Sequence, residues 1–299
     1  MSGQRVKRAL NGVLMLDKAP GASSNAALQQ AKRLYQAAKA GHAGTLDPLA
    51  TGLLPILFGE ATKFSSDLLE SDKSYAAEIR LGTSTTTADA EGKVIAVRAV
   101  SVTPDQLAAA LLNFRGSILQ IPPVYSALKH AGRPSYAYAR AGIEIERVPR
   151  RVTIFALELL WFEGDRLALS VTCSKGTYIR SIAHDLGELL GCGAHLASLR
   201  RTAVARFGLD CAHSLESLEA MPAAERDACL LPVDALLRNL PEVRLAPAEQ
   251  ARFVQGQSVR GDGPRQGRVR VYGVGGTLLG VGEADADGTI LPKRVIATA

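Results

Sequence analysis

Gly41-His42-Ala43-Gly44-Thr45-Leu46-Asp47-Pro48-Leu49-Ala50-Thr51-Gly52 is too rich in glycine and proline for regular structure and reads as a shaped loop. At its centre Asp47 sits between Leu46 and Pro48. A following proline restricts the backbone of Asp47 and biases it towards extended geometry, so the loop can aim one charged oxygen into a pocket. A carboxylate fixed in that way can act as a covalent nucleophile. The same pattern, taken alone, also describes a turn or capping aspartate in a tight connection.

Upstream, Gly12 to Asp17 reads as a buried strand, and Ser23, Ser24 or Asn25 caps a helix that shows Leu28, Ala31, Leu34, Tyr35 and Ala38 on one face and runs into Gly41. Downstream, Tyr75, Ala77, Ile79 and Leu81 alternate along a strand from Lys73 to Leu81. The polar stretch Thr83 to Gly92 then leads to a strand-like Val94 to Val100, and Pro104 opens a helix through Phe114. Residues 121–151 change character. Pro122-Pro123, Gly132, Pro134, Gly142 and Pro149 punctuate Tyr125, Tyr136 and Tyr138, mixed with Lys129, Arg133, Arg140 and Arg147, as in a long excursion kept for binding.

Strands resume at Val152 to Phe162 and Arg166 to Cys173 across a Glu163-Gly164-Asp165 turn, followed by a helix from Ile179 to Leu190. The pattern predicts a mixed α+β fold with mostly hairpin connections. A boundary falls between Asp234 and Arg244, because beyond it one helix (Pro247 to Val254) precedes only compact strands: Arg268 to Tyr272, Thr277 to Glu283, Ile290 to Ile296. They predict a small β-barrel-like module.

With 299 residues, 47% hydrophobic and 21% charged, the chain has globular proportions for about two domains. No apolar run approaches the roughly 18 residues of a membrane-spanning helix, and no signal-peptide core follows the N-terminal basic residues. Cys173, Cys192, Cys211 and Cys229 contain no C-x-x-C pair and read as free thiols of a cytosolic protein. The net charge of +6 suits a polyanionic partner, and clusters such as Arg200, Arg201 and Arg206 read equally well as solvated faces. Phosphate-cradling P-loops, dinucleotide fingerprints and the G-x-S-x-G elbow are missing, and Cys173-Ser174-Lys175 leaves acyl transfer as a weak alternative.

The combination of motifs decides. The Gly41 to Gly52 stretch resembles the catalytic motif of the TruB family of pseudouridine synthases, the bacterial enzymes acting on uridine-55 of tRNA. Further landmarks of that family occur in order: N-G-V-L-x-L-D-K-x-x-G-x-x-S (Asn11 to Ser24), S-D-K-x-Y (Ser71 to Tyr75), C-S-K-G-T-Y-I-R (Cys173 to Arg180) and G-A-H-L-x-x-L-R-R (Gly193 to Arg201). The resemblance implies an α+β pseudouridine-synthase domain over residues 1–240, with a mostly antiparallel mixed sheet, flanking helices and a thumb excursion at about 121–151. A small PUA-like RNA-binding domain over 241–299 would follow.

It further implies that Asp47 is the nucleophile attacking a flipped uridine, whose base leaves its sugar and reattaches through carbon 5. By the same resemblance Tyr75 packs on that base and assists the carbon-5 proton transfer. Arg180 pairs with Asp47 and keeps it ionised by depressing its pKa. Tyr178 and Leu199 line the uridine pocket, His42 contacts the RNA where the base has left, and Lys18 supports the loop or meets phosphate. Asp89 would pair with a pocket or thumb residue. No cofactor, metal or guide RNA is expected, and the partner is the T-arm of tRNA bound by a monomer. The competing readings are a non-catalytic RNA-binding or RNA-folding protein, and an isomerase of rRNA or one directed by a guide.

Overall fold

The computed structural model describes residues 7–126, 129–130, 132–135, 138, 141–143 and 145–297, and its strands fall chiefly into two sheets. In chain order the first part contributes β1 (Gly12–Lys18), β2 (Ala40–His42), β3 (Thr51–Phe58) and β4 (Lys73–Leu81). A separate hairpin pairs β5 (Thr83–Thr85) with β6 (Val94–Val97), and β7 (Gly116–Gln120) returns to the sheet. Within the excursion β8 (Lys129–His130) pairs with β9 (Arg133–Pro134). Then come β10 (Arg150–Glu163), β11 (Arg166–Cys173), β12 (Ala194–Val204), β13 (Phe207–Gly208) and β14 (His213–Ser214).

Among the described residues these build a ten-stranded sheet in the order β14-β1-β3-β12-β4-β11-β10-β7, with β2 beside β3 and β13 beside β12. Only β1 with β14 and β3 with β12 run parallel. Two registers position the site. Gln120 at the end of β7 lies opposite Arg150 at the start of β10, so residues 121–149 leave the sheet between two bonded neighbours, as an excursion rooted at both ends. On β12, Arg201 lies opposite both Tyr75 of β4 and Gly52 of β3. Gly52 has φ of +96° and any Cβ there would stand 2.2 Å from the Arg201 carbonyl oxygen, so only glycine fits.

Where expectation and structure part, the reasons are local. Ser23 caps the Ser24–Leu34 helix by accepting from the Ala26 N–H at 3.1 Å, and Leu28, Ala31 and Tyr35 are buried as their spacing predicts. Ala38 is exposed instead. Gln36 adopts a left-handed φ of 52°, which ends the helix early and turns Ala37 inward in its place. The Gly41 to Gly52 stretch is irregular only in its middle, because Gly41 and His42 pair with Leu57 and Ile56 of β3, and Thr51 and Gly52 open that strand. The helices Leu215–Ala220 and Ala223–Ala228 carry no pattern strong enough to have been anticipated.

The C-terminal sheet contains β15 (Glu242–Arg244), β16 (Val259–Arg260), β17 (Gly267–Tyr272), β18 (Leu278–Ala284) and β19 (Thr289–Val295), ordered β15-β17-β18-β19-β16. It encloses its own core of Val243, Phe253, Val269, Val271, Leu279 and Ile290. Arg268 to Asp67 at 2.8 Å and Lys63 Nζ to the Val295 carbonyl at 2.7 Å tie it to the larger sheet's flank. No helix among the described residues is long and apolar enough to cross a membrane.

Candidate active site

The loop around Asp47 is gripped on both sides of that residue. The Ser24 hydroxyl accepts from the Leu46 N–H at 2.7 Å and lies 2.9 Å from the Leu46 carbonyl, to which it donates. On the other side the Pro48 carbonyl accepts from the Gly21 N–H at 2.8 Å, and the Lys18 ammonium reaches it at 3.4 Å. Lys18 is 1% exposed and spends its other donors on the carbonyls of Ala19 and Ala22. Burial pushes its pKa down, while Asp47 pulls the other way. Leu46 and Ala50 anchor the loop in the core. Because both polar groups of buried Leu46 depend on one hydroxyl, Ser24→Ala is expected to lower stability by about 1–3 kcal/mol and to lower kcat by loosening Asp47. Urea denaturation beside single-turnover kinetics measures both.

Arg180 reaches the same loop from the start of the Ile179–Leu189 helix. Its guanidinium is buried and acts as a junction. Nη2 lies 3.0 Å from Asp47 Oδ2 and donates to the Tyr125 carbonyl at 2.7 Å. Nη1 donates to the Thr87 carbonyl at 3.2 Å and stands 3.6 Å from Asp89 Oδ2. Asp89 is itself 3% exposed, with its Oδ1 held by the Thr87 hydroxyl and the Glu91 N–H. One cation therefore joins the Asp47 loop, the connection between β5 and β6, and the root of the excursion. The Gln120 side chain bonds both the N–H and the carbonyl of Tyr178, and Ser181 donates to the Ile121 carbonyl, so the helix start is pinned to that root as well.

The Asp47 side chain is 42% accessible, which leaves it open to a reactant within the cleft. The expectation that Arg180 depresses its pKa is met in sign of interaction but not in sum. Desolvation by the crowded walls outweighs the attraction of Arg180, Asp89 adds repulsion, and the carboxyl sits above its ordinary value.

Asp47 borders two hollows. One, of about 270 Å³, is lined by Tyr75, Tyr178, Leu199, Arg180 and Lys73. The other, of about 490 Å³, is lined by Thr87, Asp89, Glu91 and Tyr125. The structure thus brings Asp47, Tyr75, Arg180, Tyr178 and Leu199 to one cavity. Tyr178 and Ser126 line the smaller hollow together, and burial raises the Tyr178 pKa. Tyr75 sits on β4 opposite Arg201 of β12, and both line the smaller hollow. His42 lies on β2 outside both linings; its Nδ1 is buried without a partner, and burial lowers its pKa. Lys18 lies beneath the loop. Tyr136 and Arg140 of the excursion lie outside the described residues, as do the side chains of Lys129 and Arg133.

Three contributors escape a reading by composition, although each stands inside one of the family motifs: Ser24, Lys73 and Arg201. Arg201, which by sequence belongs to a basic cluster, is 1% exposed. Lys73, 7% exposed, donates to the carbonyls of Leu68, Leu69 and Ser71 and so caps the short helix Ser65–Leu69. Burial lowers its pKa to about 8. In the unfolded chain it titrates near 10.4, so the unfolded state binds more protons between those values and stability rises with pH there. Cys173, raised to about 11, and Cys211, also raised by burial, oppose this from the ordinary thiol value of about 8.5 upward. The Lys73 contribution is therefore read as the difference between wild type and Lys73→Met, whose urea midpoints are expected to draw apart in favour of the wild type as pH rises from about 8 to 10.

Known proteins give one consistent picture. Residues 32–179 match the TruB family pseudouridylate synthase (N terminal domain), residues 180–238 the tRNA pseudouridylate synthase B C-terminal domain, and residues 241–296 the C-terminal domain of pseudouridine synthase II TruB. A tRNA pseudouridine synthase B of Azoarcus sp. (strain BH72) is 57% identical over 292 residues, covering 98% of this chain and 97% of that protein. One from Methylobacillus flagellatus is 53% identical over 300 residues, covering 100% and 99%. Among solved structures, a Cbf5-Nop10-Gar1 complex aligns with a TM-score of 0.73 at 26% identity, covering 96% of this chain and 85% of the other.

Proposed function

Because the chain belongs to the TruB family of pseudouridine synthases and converts uridine to pseudouridine in tRNA, at uridine-55 of the T-loop, we propose that Asp47 is the nucleophile of that isomerisation. The observation that carries this assignment is the Asp47 to Arg180 pair at 3.0 Å in the wall of a cavity that also holds Tyr75. A flipped base entering there meets the carboxylate with its charge balanced on the far side. Apolar Leu199 and the ring of Tyr178 exclude water, which strengthens each charge interaction inside. Tyr75 supplies the phenol that handles the carbon-5 proton, and His42 meets the RNA from which the base was drawn.

The protein works on tRNA directly, as a monomer, in the cytoplasm. Support for direct action on tRNA comes from the relatives named tRNA pseudouridine synthase B, 57% identical over 98% of this chain in one case. Residues 1–240 carry the isomerase site and residues 241–299 an RNA-binding module, with the excursion at 121–151 closing on the T-arm. Nop10 and Gar1 belong to the Cbf5 complex, and guide-RNA action is the second reading. An unmodified tRNA transcript incubated with the purified protein alone is expected to acquire pseudouridine at one T-loop position, read by mass spectrometry of nuclease fragments. Modification only on addition of a second RNA or protein would reject direct recognition.

A further inference from the structure

Among the described residues Arg201 is the bulkiest side chain sealed in the interior, at 1% exposure. Its Nε donates to the Leu53 carbonyl at 2.7 Å and its Nη2 to the Gly44 carbonyl at 3.0 Å. Tyr75 stands opposite it on the neighbouring strand β4, and both side chains line the cavity that Asp47 borders. Among the described residues no carboxylate pairs with it; Tyr75 is the group that offsets its burial. A neutral amide could satisfy two carbonyls without the heavy penalty of a desolvated charge, so a cation here must meet charge that develops nearby. Lys18 and Lys73 lie close enough for Arg201 to depress both, which makes the floor beneath the cavity cationic.

Arginine carries donors only, so towards it the phenol oxygen can act only as an acceptor, which leaves the Tyr75 proton for the cavity that the ring lines. We propose that Arg201 is a positioning residue of the isomerisation, holding the Tyr75 oxygen towards the bound base and stabilising negative charge on it while the carbon-5 proton is moved. The inference rests on reading the Asp47 cavity as the isomerase site. Once the base has rejoined the sugar through C5, that carbon bears its hydrogen and C6=N1 is a double bond. The Tyr75 hydroxyl gives its proton to N1, the C6=N1 π pair moving to N1 as the C5–H pair becomes the C5=C6 bond. The C5 proton passes to the phenol oxygen, so the phenol is regenerated and nothing is consumed. Burial by itself opposes a transient phenolate, since it raises the Tyr75 pKa, and Arg201 pulls in the opposite direction. Through Gly44 the same guanidinium holds the Asp47 loop, and it packs so near that a Cβ at Gly44 would stand 3.3 Å from its Nη1.

The test compares Arg201→Gln, Arg201→Lys, Tyr75→Phe and the double variant Tyr75→Phe/Arg201→Gln on tRNA carrying 5-tritiated uridine. Single-turnover rate, KM, tritium release and melting temperature are followed. Arg201→Gln is expected to slow tritium release by about 10²–10³-fold with KM changed less than about threefold, as for loss of one preorganised donor at a developing anion. Arg201→Lys should recover part of that rate, and the double variant should be no slower than the slower single variant. Multiplying effects in the double variant, or a raised KM with an unchanged rate, would overturn the proposal. If Arg201→Gln does not fold, Arg201→Lys decides: a slowed rate that Tyr75→Phe does not slow further supports it, and a wild-type rate with a lowered melting temperature refutes it. A wild-type protein that releases no tritium would instead sink the reading of the cavity itself.

Discussion

Asp47→Asn is expected to lower pseudouridine formation by about 10⁴-fold or more while leaving tRNA affinity within a few-fold and the melting temperature unchanged or raised. The two halves have separate causes. The amide keeps the shape of the carboxyl but removes the nucleophile. The stability effect arises from the raised pKa of Asp47: the folded protein binds that proton more tightly than the unfolded chain does, so the ionised carboxylate opposes folding once the pH passes its folded value. Below the ordinary aspartate range, near 3.9, the group is protonated in both states, and wild type and variant should converge there. Kinetics carry the same signature, since the acid limb of kcat/KM is expected above that value. Loss of binding and melting temperature together in Asp47→Asn would mark a structural aspartate and refute the nucleophile assignment.

Arg180→Met is expected to lower stability by about 3–5 kcal/mol and to remove activity with it. Without the cation, buried Asp89 is left uncompensated beside the partly exposed Asp47, and the carbonyls of Tyr125 and Thr87 lose their donor. The root of the excursion, the link between β5 and β6 and the Asp47 loop then lose the piece they have in common. Adding Asp89→Asn should return part of the stability, because one of the two stranded charges is gone, and no activity. Chemical denaturation of the single and double variants measures this; equal stabilities would show that Asp89 carries no charge-balancing role. Arg180→Lys separates charge from shape, since a single ammonium cannot reach four oxygens shared between the two terminal nitrogens of a guanidinium fork.

Much of this architecture is legible in the chain for identifiable reasons. Lys73 to Leu81 alternates with a period of two and is strand β4; Arg166 to Cys173 follows a Glu-Gly-Asp turn and is strand β11; Pro247 opens a helix that ends at Val254. In each case the signal lies within a few residues of the element it describes. The candidate site is legible because its members stand in contiguous motifs. The grip of Ser24 on Leu46 is not, for that bond joins residues 22 apart and no local pattern announces it.

Arg200 and Arg201 show the division most sharply. The chain alone gives two adjacent arginines in a basic cluster; that residues 194–204 form strand β12, whose alternation sets these neighbours on opposite faces, is seen only in the fold. Which face is interior is settled by β3 and β4 on either side: Arg200 pairs at the surface with Asp17 at 2.6 Å, and Arg201 is enclosed against Tyr75. The charge state of Asp47 divides in the same way. An acidic side chain, its proline and a family of partners are written in the motif, but the direction of its pKa is a sum of desolvation and charges brought in by residues from 18 to 180. Covalent order determines which groups exist and how they alternate; dielectric surroundings and unlike-charge distances exist only after the chain has folded.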